Sequence, residues 1–400
     1  MTNPTIIIIA YNRPRVLQRL LKSIATADYI LYKKVRLVIS IDGGGDRYNQ
    51  VLEVANTFNW PFGEKEVISH NENIGLRQHV IDCGNLTEKY ENIIVLEEDC
   101  FVGRNFYDYA CKSLEFYKGN PEIAGISLYA YTYYESAGMP FMPVNDGFDT
   151  YFMQVPGSLG QVLTKDQWLG FMDYYKSGVE IEEKDKLPEK VKTWPKTSWK
   201  KYYYKYMVEK NLYFVYPQMA FSTNFGDAGT NLSSQTQVYQ VPIENYRDLD
   251  GYRFCEFVES LNKYDAYFEL LPACLIAREV DISTDTCIDL IGSKPINLHE
   301  NKYWLSGKRC MNPIISFDNS LIPVVQNVIF NVKGNSIHYA ERESFGIMDH
   351  EEKIQQIANA QSLGFTIGEI QIISGKYYKI GYYITHPLKI PEFLKRKLLK

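Results

Sequence analysis

The sequence predicts an α/β fold built around a doubly wound, mostly parallel sheet. Short apolar segments alternate with amphipathic helical segments through the first 130 residues, which is the pattern of repeated strand–helix–strand units. The segments 5–10 and 93–96 are apolar without alternation, as strands buried on both faces are. These segments end abruptly in polar residues, and the carboxyl ends of such strands are where open α/β sheets bind ligands.

Each element follows from its local pattern. The helix predicted at 15–25 carries its apolar residues on one face, and these are Val16, Leu17, Leu20, Leu21 and Ile24. The strand predicted at 35–41 is stopped by a glycine-rich turn at 42–46 (DGGGD). The other predicted strands are 5–10, 66–69, 93–96 and 124–128, and the other predicted helices are 51–58, 76–83 and 106–117.

The second half of the chain has a different pattern. Residues 130–165 are rich in aromatic residues and read as loops, 199–210 reads as a helix, and 254–270 reads as another helix. Short β-like segments continue to about residue 375. We therefore expect three parts, which are a catalytic domain at 1–240, an accessory α+β region at 241–385 and a basic tail at 386–400.

Composition excludes several classes of protein. Forty-three Lys and Arg residues against 48 Asp and Glu residues leave a net charge of −5, which disfavours a nucleic-acid binder. The seven cysteines are scattered and include no Cys-x-x-Cys pair, so a disulfide framework or a zinc site is not expected. No apolar segment reaches the roughly 18 residues needed to span a bilayer. We expect a cytoplasmic protein with reduced thiols.

An acidic triplet follows the apolar segment at 93–96. Glu97, Glu98 and Asp99 would repel one another unless a cation lies near them. A divalent cation held by one or two carboxylates and by substrate phosphates meets that requirement. The alternative interpretation is a solvated acidic turn after a strand.

Three polar loops should meet at one edge of the predicted sheet. They are Tyr11 to Arg13, Asp42 with the glycines after it, and the acidic triplet. An arginine, a carboxylate beside glycines and a metal ligand are suitable parts for holding a nucleotide diphosphate, because glycines allow close backbone approach and a metal spans two phosphates. Neither a P-loop nor a Gly-x-Gly-x-x-Gly segment occurs, which disfavours P-loop hydrolysis and dinucleotide redox chemistry.

Seven segments in order resemble a known family. They are 9–14 (IAYNRP), 38–42 (VISID), 75–79 (GLRQH), 95–102 (VLEEDCFV) with 105–106 (NF), 156–160 (PGSLG), 194–199 (WPKTSW) and 224–227 (NFGD). Together they resemble the GT-A fold of nucleotide-sugar glycosyltransferases. Within that fold they are most similar to the N-acetylglucosaminyltransferase I branch and its bacterial polysaccharide-synthesis relatives. The resemblance covers roughly residues 5–230.

The resemblance implies roles for individual residues. Asp99 would hold Mn²⁺ or Mg²⁺, and Phe225 and Gly226 would begin a loop that closes over the bound donor. The residues implied to contact the nucleotide sugar are Ala10, Tyr11, Arg13, Asp42, His79, Glu97 and Glu98. Asp42 would face the base and accept an N–H of uracil or thymine, which favours UDP-sugars. The alternatives are that Asp42 only ends a strand and that His79 is a satisfied helix residue.

The chain departs from the family where a catalytic base is expected. Lys200 and Lys201 follow WPKTSW, where relatives often carry an aspartate. An inverting transfer needs a group that takes the proton of the acceptor hydroxyl. Asp227 is the first substitute, Glu98 and Asp149 are weaker ones, and a plain turn residue is the alternative for Asp227.

Residues near the acceptor also depart from the family. Gln161, after Gly160, stands where relatives often carry a tryptophan. We assign Gly160, Gln161 and Asp149 to the acceptor side and its loops.

These observations predict a metal-dependent hexosyl- or N-acetylhexosaminyltransferase. It would move a sugar from a nucleotide diphosphate sugar to a glycan or lipid-linked acceptor in bacterial surface polysaccharide synthesis. The alternatives are a sugar nucleotidyltransferase and a non-catalytic sugar-binding descendant of the fold.

The last twelve residues suggest a location. Residues 389–400 carry five basic residues against one acidic residue, with Ile390, Phe393, Leu394, Leu398 and Leu399 between them. A short basic amphipathic helix of this kind suits an anionic membrane surface, at the inner face of the cell membrane. The alternative is a solvated terminus.

Overall fold

A computed structural model describes residues 3–229, 235–244 and 251–346. Its strands, in chain order, are β1 Thr5–Ala10, β2 Leu37–Ile41, β3 Lys65–Ser69, β4 Asn92–Glu97, β5 Cys100–Val102, β6 Ile123–Ser127, β7 Tyr133–Tyr134, β8 Met139–Pro140, β9 Thr150–Met153, β10 Gln161–Thr164, β11 Tyr213–Pro217, β12 Ser222–Asn224, β13 Lys263–Tyr264, β14 Thr286–Asp289, β15 Tyr303–Ser306, β16 Ile315–Phe317 and β17 Ile337–Glu341.

The helices lie mostly in the first 210 residues. They are α1 Pro14–Ala25, α2 Tyr48–Thr57, α3 Leu76–Asn85, α4 Thr87–Tyr90, α5 Phe106–Phe116, α6 Lys165–Lys176, α7 Glu189–Lys192, α8 Lys200–Lys210, α9 Pro272–Ile276 and α10 Val325–Ile329. Short 3₁₀ turns lie at Ile296–Leu298 and Arg342–Ser344.

A nine-stranded sheet forms the centre of the molecule, in the order β13-β9-β11-β6-β10-β4-β1-β2-β3. Five of its eight strand pairings are parallel and three are antiparallel. The predicted α/β class with a mostly parallel central sheet is confirmed, and the arrangement is consistent with the GT-A type. The predicted strands and helices of the first 130 residues are present, with ends that differ by no more than three residues.

The central strands are apolar because both faces of the sheet are covered. All six residues of β1 are buried, and they alternate between two cores. Ile7 and Ile9 lie in one core, whereas Ile6 and Ile8 lie in the other. A strand with two buried faces needs apolar side chains at every position, which is why its sequence shows no alternation.

The structure corrects two predictions from the second half of the chain. Residues 130–165 are not only loops, because they contain β9 and β10, and β10 pairs antiparallel with both β4 and β6. The helix predicted at 254–270 is wrong, since this segment forms turns and the short strand β13. Its aromatic spacing reflects separate contacts, in which Phe254 stacks on Tyr252 and Phe257 packs against Tyr213.

Helix α6 was missed although the sequence carries its start signal. The Thr164 hydroxyl accepts the Gln167 N–H, and the Gln167 side chain accepts the Thr164 N–H in return. This capping box satisfies two amide donors at the beginning of the helix.

A second sheet follows the central one along the chain. It has the order β14-β15-β17-β16 and lies within residues 286–341. β13, which precedes it, pairs with β9 and so belongs to the central sheet. The domain boundary near residue 240 stays a prediction.

The end of the accessory region and the basic tail at 386–400 lie outside the described residues. All seven cysteines are described and are free, as expected. No helix in the described part of the chain is both long and apolar enough to cross a membrane.

Candidate functional site

The parallel pairing of β1 with β2 and β4 brings three loops to one edge of the sheet. The Asp42 N–H donates to the Ala10 carbonyl at 2.9 Å, and the Glu98 N–H donates to the Ile9 carbonyl at 2.9 Å. Ala10 itself is buried at the end of β1. The loops that follow these strands therefore begin side by side, as the sequence predicted.

Arg13 joins the first loop to the acidic triplet. It precedes Pro14 at the start of α1, and its Nε donates to Glu98 Oε1 at 2.6 Å while its Nη2 donates to Asp99 Oδ2 at 3.1 Å. The Tyr11 N–H donates to the other Glu98 oxygen at 2.9 Å. Both Glu98 oxygens are thus engaged, and this residue anchors the first loop to the end of β4.

Nearby cations only partly compensate the negative charge of the acidic triplet. Burial, and then repulsion from Asp99, raises the pKa of Glu97 to about 8, although Lys200 and Arg13 oppose that shift. Burial also raises the pKa of Glu98, and its ion pair with Arg13 only partly offsets the effect. An additional cation at this edge would favour the charged carboxylates.

Asp99 has one carboxylate oxygen that fits a metal ion. Its Oδ1 atom is buried and has no hydrogen-bond partner, whereas its Oδ2 atom accepts Arg13. A buried acceptor without a partner is costly, and carboxylate oxygen is the ligand type that Mn²⁺ and Mg²⁺ use. Among the described residues, no group of three or more His, Cys, Asp or Glu side chains is arranged to hold a metal. The site therefore fits a cation that takes its remaining ligands from a bound substrate and water.

Asp42 lies at the same edge but is occupied by backbone donors. Its Oδ1 accepts the N–H groups of Gly43 and Ile74 at 2.9 and 2.8 Å, and its Oδ2 accepts the Gly75 N–H at 3.2 Å. Asp42 is 4% exposed. This carboxylate holds the loop before α3 in place, and its contact with a nucleotide base stays a prediction.

His79 is placed in the interior and not at the open edge. It is 2% exposed, and its Nε2 lies 2.7 Å from the Ser40 hydroxyl oxygen. Burial lowers its pKa to about 4, so the ring is neutral at pH 7. This placement supports the alternative of a satisfied helix residue and does not support a contact with the donor.

A loop that begins at Phe225 packs beside the acidic triplet. β12 pairs with β5, and the Phe225 N–H donates to the Asp99 carbonyl at 3.2 Å. Gly226 has a φ of 60°, and a Cβ there would lie 1.8 Å from the Thr236 carbonyl oxygen. A Cβ at Gly229 would lie 3.1 Å from Arg13 Nη1, so the loop also adjoins the arginine. We call residues 225–229 the site loop.

Arg19 of α1 holds the site loop. Its guanidinium lies 3.6 Å from the centroid of the Phe225 ring and forms an ion pair with Asp227. Neither Asp227 oxygen can take a proton without disturbing that pair, since Nη1 and Nη2 of Arg19 each face one oxygen. This arrangement disfavours Asp227 as the catalytic base.

The other two candidate bases, Glu98 and Asp149, also accept hydrogen bonds from other residues. Glu98 is engaged by Arg13 and Tyr11. Asp149 accepts the Arg253 N–H at 2.7 Å and directly precedes β9. β9 lies four strands from β4 in the sheet, a distance of roughly 19 Å at about 4.8 Å per strand. The structure does not bring Asp149 to the acidic triplet.

Gly160 and Gln161 lie beside the acidic triplet through β10. Gln161 is opposite Val95 of β4, and its Oε1 atom is buried without a hydrogen-bond partner. Gly160 has a φ of 98°, and a Cβ there would lie 2.9 Å from the Ser222 hydroxyl oxygen. Both residues therefore lie close to β4, and their role toward an acceptor stays a prediction.

Two residues of this site, Arg19 and Lys200, were not predicted from the sequence. Lys200 donates from Nζ to the Ser158 hydroxyl at 3.0 Å and to the Tyr131 hydroxyl at 3.2 Å. It appeared in the sequence only as a departure from an expected aspartate. Arg19 carried no sequence signal, because its partner Asp227 is 208 positions away.

Breaking the Arg19–Asp227 ion pair is expected to weaken donor binding through the site loop. Asp227→Asn and Arg19→Met should each weaken binding of UDP with Mn²⁺ by roughly fivefold, about 1 kcal/mol, because the pair is only partly exposed. The double variant should lose little more than either single one, since they remove the same contact. Isothermal titration calorimetry measures these affinities, with the exposed Arg15→Met as a control on the same helix. Unchanged affinity in Asp227→Asn combined with a large loss of turnover would restore the assignment of Asp227 as the base.

Comparisons with known proteins give only distant likenesses. No family model matches the chain, and no curated protein matches it. Among 266 matching chains of solved structures is mannosyltransferase PcManGT from Pyrobaculum calidifontis in complex with GDP-Man and Mn²⁺, at 15% identity over 44% of this chain and 47% of that chain, with a TM-score of 0.29. S. aureus TarS 1–349 matches at 12% identity over 55% of this chain and 59% of that chain, with a TM-score of 0.34.

A third match is a cytidylyltransferase from Leptospira borgpetersenii serovar Hardjo-bovis. It has 12% identity over 43% of this chain and 65% of that chain, with a TM-score of 0.29. The chain spans less than two thirds of the length of each of these structures. At this level of likeness the comparisons assign no activity to the chain.

Proposed function

We propose that the protein is a metal-assisted glycosyltransferase that takes a sugar from a nucleotide diphosphate sugar. One observation carries the proposal, which is the buried Asp99 Oδ1 without a partner, beside the Arg13 ion pairs and the site loop. A cation and a diphosphate could bind here together, the cation at Asp99 and the diphosphate beside Arg13. The Asp99 carboxylate would supply one ligand to the cation, and the phosphates of the donor would supply others.

The residues of the site have separate roles in this proposal. Asp99 would hold Mn²⁺ or Mg²⁺, which when bound neutralises the charge that develops on the departing diphosphate. Arg13, whose side chain is 26% exposed, can offer part of its guanidinium to a phosphate oxygen. Phe225 and Gly229 would cover the bound phosphates and exclude water from them.

The finer assignments come from the sequence resemblance. We propose a UDP-sugar as the first donor to test, a hexosyl or N-acetylhexosaminyl group as the sugar, and a glycan or lipid-linked acceptor. Asp42 is no longer the main reason for preferring uridine, because three backbone amides already occupy its oxygens. A cytoplasmic location, with attachment to an anionic membrane surface through residues 389–400, belongs to the same proposal.

Release of free nucleoside diphosphate tests the proposal. The protein would be incubated with UDP-, GDP-, CDP- and dTDP-sugars, with Mn²⁺ or with EDTA, and the products separated by chromatography. We expect slow metal-dependent release of the diphosphate from one donor class even with water as acceptor. Pyrophosphate formation from a nucleoside triphosphate and a sugar phosphate would instead indicate nucleotidyl transfer. Thermal stabilisation by a donor without any turnover would indicate a binding protein.

A further inference from the structure

A cluster of four cations adjoins the acidic edge. We use the name basic patch for these four residues near Trp194, which are Arg77, Lys196, Lys200 and Lys201. Arg77 Nη1 donates to the Lys196 carbonyl at 2.9 Å, and Lys201 Nζ donates to the Trp194 carbonyl at 3.0 Å. Lys200 Nζ lies 6.0 Å from the centroid of the Trp194 ring. Two segments distant in the chain build this patch together, namely the start of α3 and residues 194–201, which include the first residues of α8.

The basic patch has an excess of positive charge. None of its four cations forms an ion pair with a carboxylate within residues 3–229, 235–244 and 251–346. Burial, followed by repulsion from Lys196 and Arg77, lowers the pKa of Lys201, and Glu180 opposes this only weakly. Clustered side chains of one sign that lack carboxylate partners create a positive potential that attracts anions.

The position of the basic patch relates it to the proposed reaction. Lys200 begins α8, acts electrostatically on Glu97 at the end of β4, and is bonded to Ser158 just before β10. Arg77 lies in the first turn of α3, directly after the loop that Asp42 holds. The basic patch therefore adjoins the acidic triplet through Lys200 and Glu97. Neither Arg13 nor Arg19 takes part in it.

Neutralising Glu97 does not account for the whole basic patch. Lys200 is one of the charges that lower the pKa of Glu97, whereas Arg77 and Lys196 are not among them. Lys196 is exposed, and Arg77, Lys200 and Trp194 are half-buried, so these side chains can meet a ligand. A compact ammonium group and a guanidinium are both suited to phosphate oxygens, and an indole ring offers a flat face to a sugar.

We propose that the basic patch binds an acceptor that carries phosphate groups. The role of this ligand as an acceptor rests on the proposed glycosyltransferase function, whereas the binding of its phosphates does not. The occupant is a phosphate-bearing glycan chain, with its phosphates on Arg77, Lys196 and Lys200 and a sugar ring on Trp194.

Direct binding of short-chain polyphosphate tests the proposal independently of turnover. Affinity would be measured by microscale thermophoresis in EDTA at low salt, with maltotriose as the uncharged comparison. We expect polyphosphate to bind, maltotriose not to bind, and the double variant Arg77→Gln with Lys196→Ala to weaken polyphosphate binding at least tenfold, since two charge-assisted contacts are lost. Lys200→Met should weaken it as well. The control Lys22→Ala with Lys118→Ala removes the same charge from exposed positions elsewhere and should change the affinity by less than about twofold.

Several outcomes would overturn the proposal. Equal losses of polyphosphate affinity in the control variant would show that only net charge matters. Abolition of binding in Arg13→Met would place the polyphosphate beside Arg13 and the acidic triplet. Tighter binding to anionic lipid vesicles than to polyphosphate, lost in the same patch variant, would make the surface a membrane contact. Circular dichroism and melting temperature verify that each variant is folded. Failure of the proposed glycosyltransferase function would appear separately, as absence of nucleoside diphosphate release.

Discussion

Asp99→Ala is expected to uncouple donor binding from the metal ion. In the wild-type protein, saturating Mn²⁺ should tighten UDP binding, because Asp99 Oδ1 is buried without a partner and a bound cation would satisfy it. Removing this ligand oxygen should weaken UDP binding in Mn²⁺ by at least tenfold, about 1.4 kcal/mol. In EDTA the variant and the wild type should differ by much less. Isothermal titration calorimetry with and without Mn²⁺ measures all four affinities.

Asp46→Ala is the matched control for this experiment. Asp46 lies in the loop after β2, at the same edge of the sheet as Asp99. It is exposed and belongs to neither the Arg13 ion pairs nor the acidic triplet. Its loss should leave the effect of Mn²⁺ intact. If Asp99→Ala binds UDP in saturating Mn²⁺ as tightly as the wild type does, Asp99 is not the metal ligand.

Arg13→Met is expected to destabilise the folded protein, and more so at high pH. Glu98 is 6% exposed in its side chain and Asp99 13%, so the substitution leaves two neighbouring carboxylates without their cation. Breaking such a pair costs several kcal/mol when it is fully buried, and we expect about 2–3 kcal/mol here because Arg13 is partly exposed. Urea unfolding at pH 8 in EDTA measures the free energy of unfolding.

The pH dependence follows from the direction of the pKa shift. Burial already raises the pKa of Glu98, and loss of Arg13 would raise it further. A carboxyl group with a raised pKa in the folded state binds a proton more tightly there than in the unfolded chain, so its cost appears as the pH rises above the unfolded value. The deficit of Arg13→Met should therefore shrink between pH 8 and pH 5. Arg15→Met, which removes an exposed charge from the same helix, should show no such trend, and a deficit independent of pH would contradict the ion-pair account.

The elements of the first 130 residues could be predicted because their signals are local. β1 and β4 have uninterrupted apolar sequences since each contributes to both cores, and α1 shows its buried stripe directly. β10 could not be predicted in the same way. It is four residues long and exists as a strand through its antiparallel pairing with β4 and β6, which are distant in the chain.

The candidate site divides along the same line. The sequence was sufficient to predict which loops meet, because parallel strands end at a common edge, and it therefore identified Arg13, Asp42 and Asp99 as neighbours of one site. The contacts of each side chain became known from the folded structure. Arg13 and Glu98 are 85 positions apart, and Arg19 and Asp227 are 208 positions apart. Ion pairs, buried oxygens without partners and crowded cations depend on distances in space, and no local periodicity encodes them. For this reason the sequence did not show that backbone amides hold Asp42 or that Arg19 holds Asp227. The basic patch around Trp194 likewise became visible in the folded chain.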